Sequence, residues 1–337
     1  MTTTLTSRRT VSTTARDALR LDEPIPTPTG WALVGALRSG DEVFGGDGRV
    51  CRVVAVGPVD GYPDARTIRF SDGTTIDRAA GHPWAQVDGS DSHAPGRAVA
   101  LAGALALPKL ALPIPPYTLG AWLGDGDSDG ARLTLNRDDA DEIEASIRRE
   151  GFGTHRNPSG ERGHSVRVRV EGLQVLLRRS LLLGYKDIPP MYLRASSAQR
   201  RALLAGLMDT DGSSCGRTGN RASRCELSFT HKPMIPAVVE LIRALGIAVN
   251  SAEYDAVLEG RVVGRRWRMH FQAPFNPFTV SRKAQRWAPL LSARTRSRYV
   301  VDVHRAEPSP MQAVTVDSVD GTFLCGRRFV PTHGGAA

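Results

Sequence analysis

Two carboxylates, Asp125 and Asp211, close two variants of one motif, TLGAWLGDG (118–126) and LLAGLMDTDG (203–212). Each variant reads as a short apolar helix with glycine inside it, ending in an acid followed by Gly. An acid at a helix C-terminus faces the negative end of the macrodipole, which costs roughly 0.3–1 kcal/mol. A glycine within a helix costs roughly 0.5–1 kcal/mol against alanine. A chain that accepts both penalties twice needs what they allow. Gly120, Gly124, Ala205 and Gly206 let two helices pack very closely, with the two acids side by side at one end. Paired acids at such a seam can hold a divalent metal for phosphodiester hydrolysis.

The elements that position this pair follow a repeated order. ARLTLN (131–136) and SVRVRVE (165–171) alternate after the first motif, as do RCELSFT (224–230) and RWRMHFQ (266–272) after the second. Period-two alternation predicts a sheet with one face buried. Its other face would carry Arg132, Thr134, Asn136, Arg167 and Arg169 from the first half. The second half would add Arg224, Glu226, Ser228, Thr230, Arg266, Arg268, His270 and Gln272. These residue types read base edges in the major groove of DNA. Helices are expected at 138–151 and 232–246, each closed by glycine. Both halves thus run motif helix, strands, helix, strands, which predicts a pseudo-twofold repeat within one chain.

The charge is distributed to match. Of a formal net charge of +9, residues 113–298 hold 29 Lys and Arg against 19 Asp and Glu, and the remainder holds 15 against 16. The basic excess lies wholly in the segment with the two motifs, as a polyanion-binding module requires. Nearly all of it is arginine; the four lysines are Lys109, Lys186, Lys232 and Lys283.

LAGLMDTDG (204–212) resembles the signature of the LAGLIDADG homing endonucleases almost letter for letter, and 118–126 is a looser copy with Trp122 and Gly124 as departures. The resemblance implies an α+β endonuclease domain over 113–298, with repeats of about 113–190 and 191–298 forming a helix and sheet saddle. It implies hydrolysis of both strands of double-stranded DNA at a long specific site, leaving 3′ overhangs. Asp125 and Asp211 would hold magnesium or another divalent ion, one acid serving each strand. Lys186, in LGYKDIP, and Lys283, in VSRKAQRW, match lysines that the family places beside the metal. An ammonium there can orient the attacking water and offset phosphate charge. Lys109 and Lys232 are expected on the surface.

The flanks differ in character. Residues 18–112 and 299–337 are rich in Gly, Pro, Val and Asp-Gly turns and read as an all-β unit. They resemble the Hint fold of inteins, interrupted by the endonuclease. GHPW (81–84) brings His82 to the place of the histidine that assists the first acyl shift, and VPTHG brings His333 to the place of the penultimate histidine. The departures matter more. Ala18 stands where the first nucleophile belongs, Ala79 where a Thr or Asp is expected, Gly334 at the terminal Asn and Gly335 at the downstream nucleophile. Without those groups the acyl shifts have no nucleophile. The expectation is a free-standing homing endonuclease derived from an intein that no longer splices.

Three other readings remain. A DNA- or RNA-binding protein that has lost cleavage is opposed by the presence of both acids. A self-processing protein is opposed by Ala18 and Gly334. A splicing-dead engineered chain is opposed by scattered losses such as Ala79. The four cysteines show neither a zinc spacing nor a disulfide framework, and no run is apolar and long enough to span a membrane. Residues 1–17 read as a disordered tail. The expected protein is a cytoplasmic monomer with internal pseudo-twofold symmetry.

Overall fold

The computed structural model describes residues 18–62, 65–79, 96–156, 163–215, 223–258, 261–289 and 297–334. The expected tail at 1–17, His82 and Gly335 lie outside the described residues. The chain divides into two compact units, one over 103–296 and one from the residues on either side of it.

The discontinuous unit begins with β1 (Ala18–Arg20), β2 (Pro24–Thr27), β3 (Gly30–Leu33), β4 (Glu42–Phe44), β5 (Val50–Tyr62), β6 (Ala65–Phe70), β7 (Thr75–Ala79) and β8 (Ala98–Ala100). The first repeat of the inserted unit holds α1 (Pro116–Asp125), β9 (Arg132–Asn136), α2 (Arg137–Arg149), β10 (Thr154–Arg156), β11 (Ser165–Val170) and α3 (Leu173–Arg179). The second holds α4 (Pro190–Leu193), α5 (Ser197–Thr210), β12 (Gly212–Cys215), β13 (Arg224–Phe229), α6 (Ile235–Ala244), β14 (Val249–Leu258), β15 (Arg261–Phe271) and α7 (Ser281–Ala284). The chain then returns to the first unit through β16 (Ser297–Arg305), β17 (Ser309–Val316), β18 (Thr322–Cys325) and β19 (Val330–His333).

Strands from both ends of the chain interleave in one eight-stranded sheet, ordered β4-β5-β17-β1-β7-β6-β16-β8. Neither flank completes this sheet alone: β17 separates β5 from β1, and β16 separates β6 from β8. Its apolar residues, among them Leu19, Val53, Ile68, Phe70, Val300 and Val314, make a separate core.

The inserted unit contains two sheets, β10-β11-β9 and β12-β13-β15-β14. The single sheet expected from four alternating strands is therefore corrected to one sheet per repeat. The repeats correspond strand for strand: a lone bridge from Gly126 to Leu133 takes the place of β12 in the first. Burial alternates as the sequence predicts, strictly so along β9, β11 and β13. The helix expected over 232–246 opens instead as a 3-10 turn, Lys232–Met234, before α6. Pro233 and Pro236 lack the N–H groups that regular helix bonding would use.

Residues 103–112 belong with the inserted unit. The Leu105 N–H donates to Ala244 O at 2.9 Å. Gln199 donates to Leu110 O at 2.7 Å and accepts from Leu110 N. The buried Arg200 donates to both Leu105 O and Ala244 O. The composition shift near 112 misses this strap because its ties run to residues far along the chain. Among the described residues no helix is long and apolar enough to cross a membrane.

Candidate active site at the helix seam

The seam between α1 and α5 is built on symmetric glycines. A Cβ on Gly120 would lie 2.2 Å from Leu203 O, and a Cβ on Gly206 would lie 2.2 Å from Tyr117 O. Both glycine–carbonyl pairs are related by the same 86-residue offset, so each helix presents the same position of its motif to the other. The N-termini are fixed differently. Ser196 and Gln199 form a capping box at α5. At α1 the carboxylate of Glu150, at the end of α2, accepts from the N–H groups of Tyr117 and Thr118 at 3.1 and 2.8 Å.

At the other end, Asp125 is the last residue of α1 and Asp211 caps α5. The Asp211 Oδ2 lies 3.2 Å from where a Cβ on Gly124 would stand. Burial pushes the Asp125 carboxyl up to about 7, the negative charge of Asp211 adds to the rise, and Lys283 and Lys186 oppose it. Burial likewise pushes Asp211 up to about 6, against both lysines.

The structure places both lysines at this seam, on backbone oxygens. Lys186 Nζ donates to Leu123 O at 3.2 Å and Gly124 O at 3.3 Å, near the end of α1. Lys283 Nζ lies within hydrogen-bond reach of the Met208, Asp209, Thr210 and Gly212 carbonyls at 2.6–3.1 Å, at the end of α5. Each lysine thus sits at the negative pole of one motif helix and offsets the dipole that an acid there opposes. Burial lowers the pKa of both ammonium groups, and the surrounding acids resist that fall. With its protons directed to carbonyls, Lys283 holds the end of α5 and places positive charge there. Lys232 is exposed, with Nζ 5.6 Å from the Trp267 ring centroid.

One residue of the site was not singled out from the sequence. Asp209, fully buried, accepts from Tyr117 Oη at 2.8 Å, from the N–H groups of Thr279 and Val280 at 3.0 and 3.1 Å, and from Thr279 Oγ1. It fastens the segment that carries Lys283. From the first repeat, Asp139 pairs with Arg282 and Glu142 accepts from Ser281 N at 2.9 Å, holding the same segment. Position 123, the counterpart of Asp209, is a buried leucine. An extra acid in only one of two similar motifs was the available signal. Among the described residues no group of three or more His, Cys, Asp or Glu side chains could hold a metal ion. A metal here would rest on the two acids, backbone oxygens and the substrate itself. That donor set of hard oxygens suits Mg²⁺, which commonly takes one or two carboxylates plus phosphate.

The polar sheet faces differ between repeats. In the first, Arg132, Thr134, Arg167 and Arg169 are exposed, with Arg167 opposite Thr134 and Arg169 opposite Arg132. Asn136 shares that face, but its side chain accepts from Asp138 N at 2.9 Å and caps α2. In the second, Glu226, Ser228, Arg266, Arg268 and His270 are half-buried, Arg224 and Thr230 are exposed, and Gln272 lies just past β15. Glu226 gathers Arg268 and His270 at 3.6 and 3.5 Å. Arg268 Nε and His270 Nδ1 face that carboxylate, whereas Arg266 Nε is a buried atom with no hydrogen-bond partner among the described residues. An unsatisfied buried donor of this kind calls for a partner such as a ligand. An arginine of the four at 167, 169, 266 and 268 that meets guanine should cost about 1–3 kcal/mol on substitution by alanine and relax one base position. One that meets phosphate should weaken all sites alike and lower the salt slope by about one unit. Titrations of the four single variants at two salt concentrations separate these outcomes, and four unchanged affinities would remove DNA from this face.

In the discontinuous unit the positions expected to match splicing residues hold Ala18, His333 and Gly334. Ala18 is fully buried in an apolar cluster with Ala65, Ala79, Ala306 and Met311. His333 ends β19, half-buried. A Cβ on Gly334 would lie 2.5 Å from Val314 O, so an asparagine there requires the backbone to move. Replacing Ala18 by Cys and Gly334 by Asn is therefore not a simple route back to junction cleavage.

Comparison with known proteins bears on both units. Residues 188–274 match the family model described as homing endonuclease. A replicative DNA helicase DnaB of Mycobacterium intracellulare is 34% identical over 94% of this chain, and the chain spans 58% of that relative's length. The crystal structure of the Msm DnaB1 intein splicing domain bound with zinc aligns over 94% of this chain and 99% of its own, at 16% identity and TM-score 0.32. Mesophilic variants of the homing endonuclease I-DmoI align over 51% of this chain and 95% of theirs, at 12% identity and TM-score 0.33. The stretch that matches the homing endonuclease family model lies within the unit that interrupts the β-rich one in sequence.

Proposed function

We propose that the inserted unit is a site-specific DNA endonuclease that breaks both strands at one long target, with Asp125 and Asp211 as its catalytic acids. The observation that carries this reading is the glycine seam, which brings two half-buried carboxylates together at matching helix ends. A bound divalent ion such as Mg²⁺ would supply Lewis-acid stabilisation of the attacking and leaving oxygens. Asp125 and Asp211, when ionised, would hold it. Lys186 and Lys283 keep the helix ends in place and balance two half-buried negative charges. Arginines of the sheet faces set register on phosphate, and the other polar side chains of those faces set sequence. Because one chain provides both acids, a monomer completes the site. Its partner is double-stranded DNA inside the cell, which makes the cytoplasm the place of action. Incubation with a random-sequence plasmid library tests the reading: linear product in Mg²⁺ and none in EDTA supports it, and no linear product in either refutes it.

The intein-like unit, in the same reading, is a frame that no longer splices. Ala18 offers no nucleophile and lies in a closed apolar cluster, and Gly334 has no side chain to cyclise. Fused between two reporter domains, the protein should stay one chain of full length. Ligated reporters in a mass spectrum would overturn this.

A further inference from the structure

The cleft beside the second acid holds a histidine that neither motif includes. It encloses about 490 Å³, and Lys186, Gly124, Asp211, Ser228, Thr230 and His231 help to line it. His231 lies two residues past the end of β13 and immediately before the Lys232–Met234 turn, at the junction where the strand hands over to the helical layer. In the first repeat the corresponding junction residue is Asn136, whose side chain caps α2. His231 makes no such cap. Pro233 has already removed one of the N–H groups a cap there would serve. The imidazole is thereby released from the duty its position has in the other half.

Nor is it satisfied elsewhere. The Nε2 of His231 is a buried atom with no hydrogen-bond partner among the described residues. The ring meets Tyr185 edge-on, with centroids 6.4 Å apart and planes at 83°. Tyr185 is itself 54% exposed and precedes Lys186 in the same loop. That contact orients the imidazole without using either nitrogen. A polar group held in place, unsatisfied and beside a basic and an acidic catalytic-site residue, is arranged for an incoming oxygen.

We propose that His231 donates a hydrogen bond to a phosphate oxygen of the DNA strand that passes through this cleft. The inference rests on the endonuclease reading and adds an asymmetry to it. Asn136, at the matching position, is held to its helix through its side-chain oxygen, and no imidazole stands at that junction for the other strand. The two strands should then depend differently on His231.

The test uses a supercoiled plasmid carrying the site that the parental protein selects from a random library, with each strand labelled and its cutting rate followed separately. His231→Ala should slow one strand by about tenfold to a hundredfold, as expected for loss of one transition-state donor. The other strand should keep its rate within about twofold, so that nicked circles accumulate, and His231→Gln, which keeps an N–H donor, should recover most of the loss. The unaffected strand shows within the same reaction that the variant is folded and bound. Equal slowing of both strands, unchanged rates in both, or failure of His231→Gln to recover would overturn the assignment to His231 alone. Absence of cutting by the parental protein would instead overturn the endonuclease reading beneath it.

Discussion

Asp125→Asn and Asp211→Asn should each abolish double-strand cutting, by about a thousandfold or more, while specific DNA binding persists, because metal ligation is lost and the sheet faces are untouched. The same substitutions should raise stability. Asp125 has its folded pKa raised from 3.8 to about 7, so the folded protein binds this proton more readily than the unfolded chain. The stability linked to this group is therefore highest below about pH 4 and falls as pH rises through about 7, levelling off only above the folded pKa. Asparagine cannot ionise, so at pH 8 without metal the variant should be more stable by about 1–3 kcal/mol. Activity of the parental protein should move the opposite way, rising through pH 6–7 as Asp211 and then Asp125 lose their protons. Thermal melts at pH 5 and pH 8, alongside cutting rates, check both signs. A variant that is inactive and also markedly less stable at pH 8 would mean that the acids serve the fold instead.

Gly206→Val should be the most damaging single change to the inserted unit. A Cβ there meets Tyr117 O at 2.2 Å, the Ala121 nitrogen at 2.6 Å and the Gly120 carbonyl carbon at 2.9 Å, all backbone atoms that cannot rotate away. The helices would have to part, which opens a seam lined by fully buried side chains such as Leu119, Leu203 and Leu207. Overpacking commonly costs about 1–3 kcal/mol, and a rigid backbone contact belongs at or above the top of that range. Denaturant unfolding should show the loss as a shifted midpoint for this unit. A midpoint within error of the parental protein would show that the seam is looser than its geometry states.

What could be read from the residues was what local pattern encodes. Alternation along 132–136 and 165–170 located two strands and their faces, because side chains change face at every residue. The motif spacing located two helices that had to meet, because only close packing justifies interior glycine twice. What could not be read depends on contacts between distant residues. Asp209 and Thr279 lie 70 positions apart, and nothing near either one announces the bond. The lysines were drawn toward the acids by family likeness, yet their ammonium groups rest on helix-end carbonyls, which no periodicity reports. The strap at 103–112 has no regular structure of its own and is placed by Gln199 and Arg200. Asn136 looked like a base-reading residue because it shares a face with Arg132 and Thr134, and the start of α2 claims its side chain.

The central claim, that two acids at one helix seam cut both strands of DNA, is tested most directly by the parental protein on its own selected site. Product is followed from supercoiled to linear DNA in Mg²⁺, with EDTA and the paired Asp125→Asn, Asp211→Asn variant as companions. The account predicts linear DNA with one break in each strand from the parental protein in Mg²⁺, and none in either companion reaction. Linear product at the parental rate from the paired variant, or in EDTA, would contradict it.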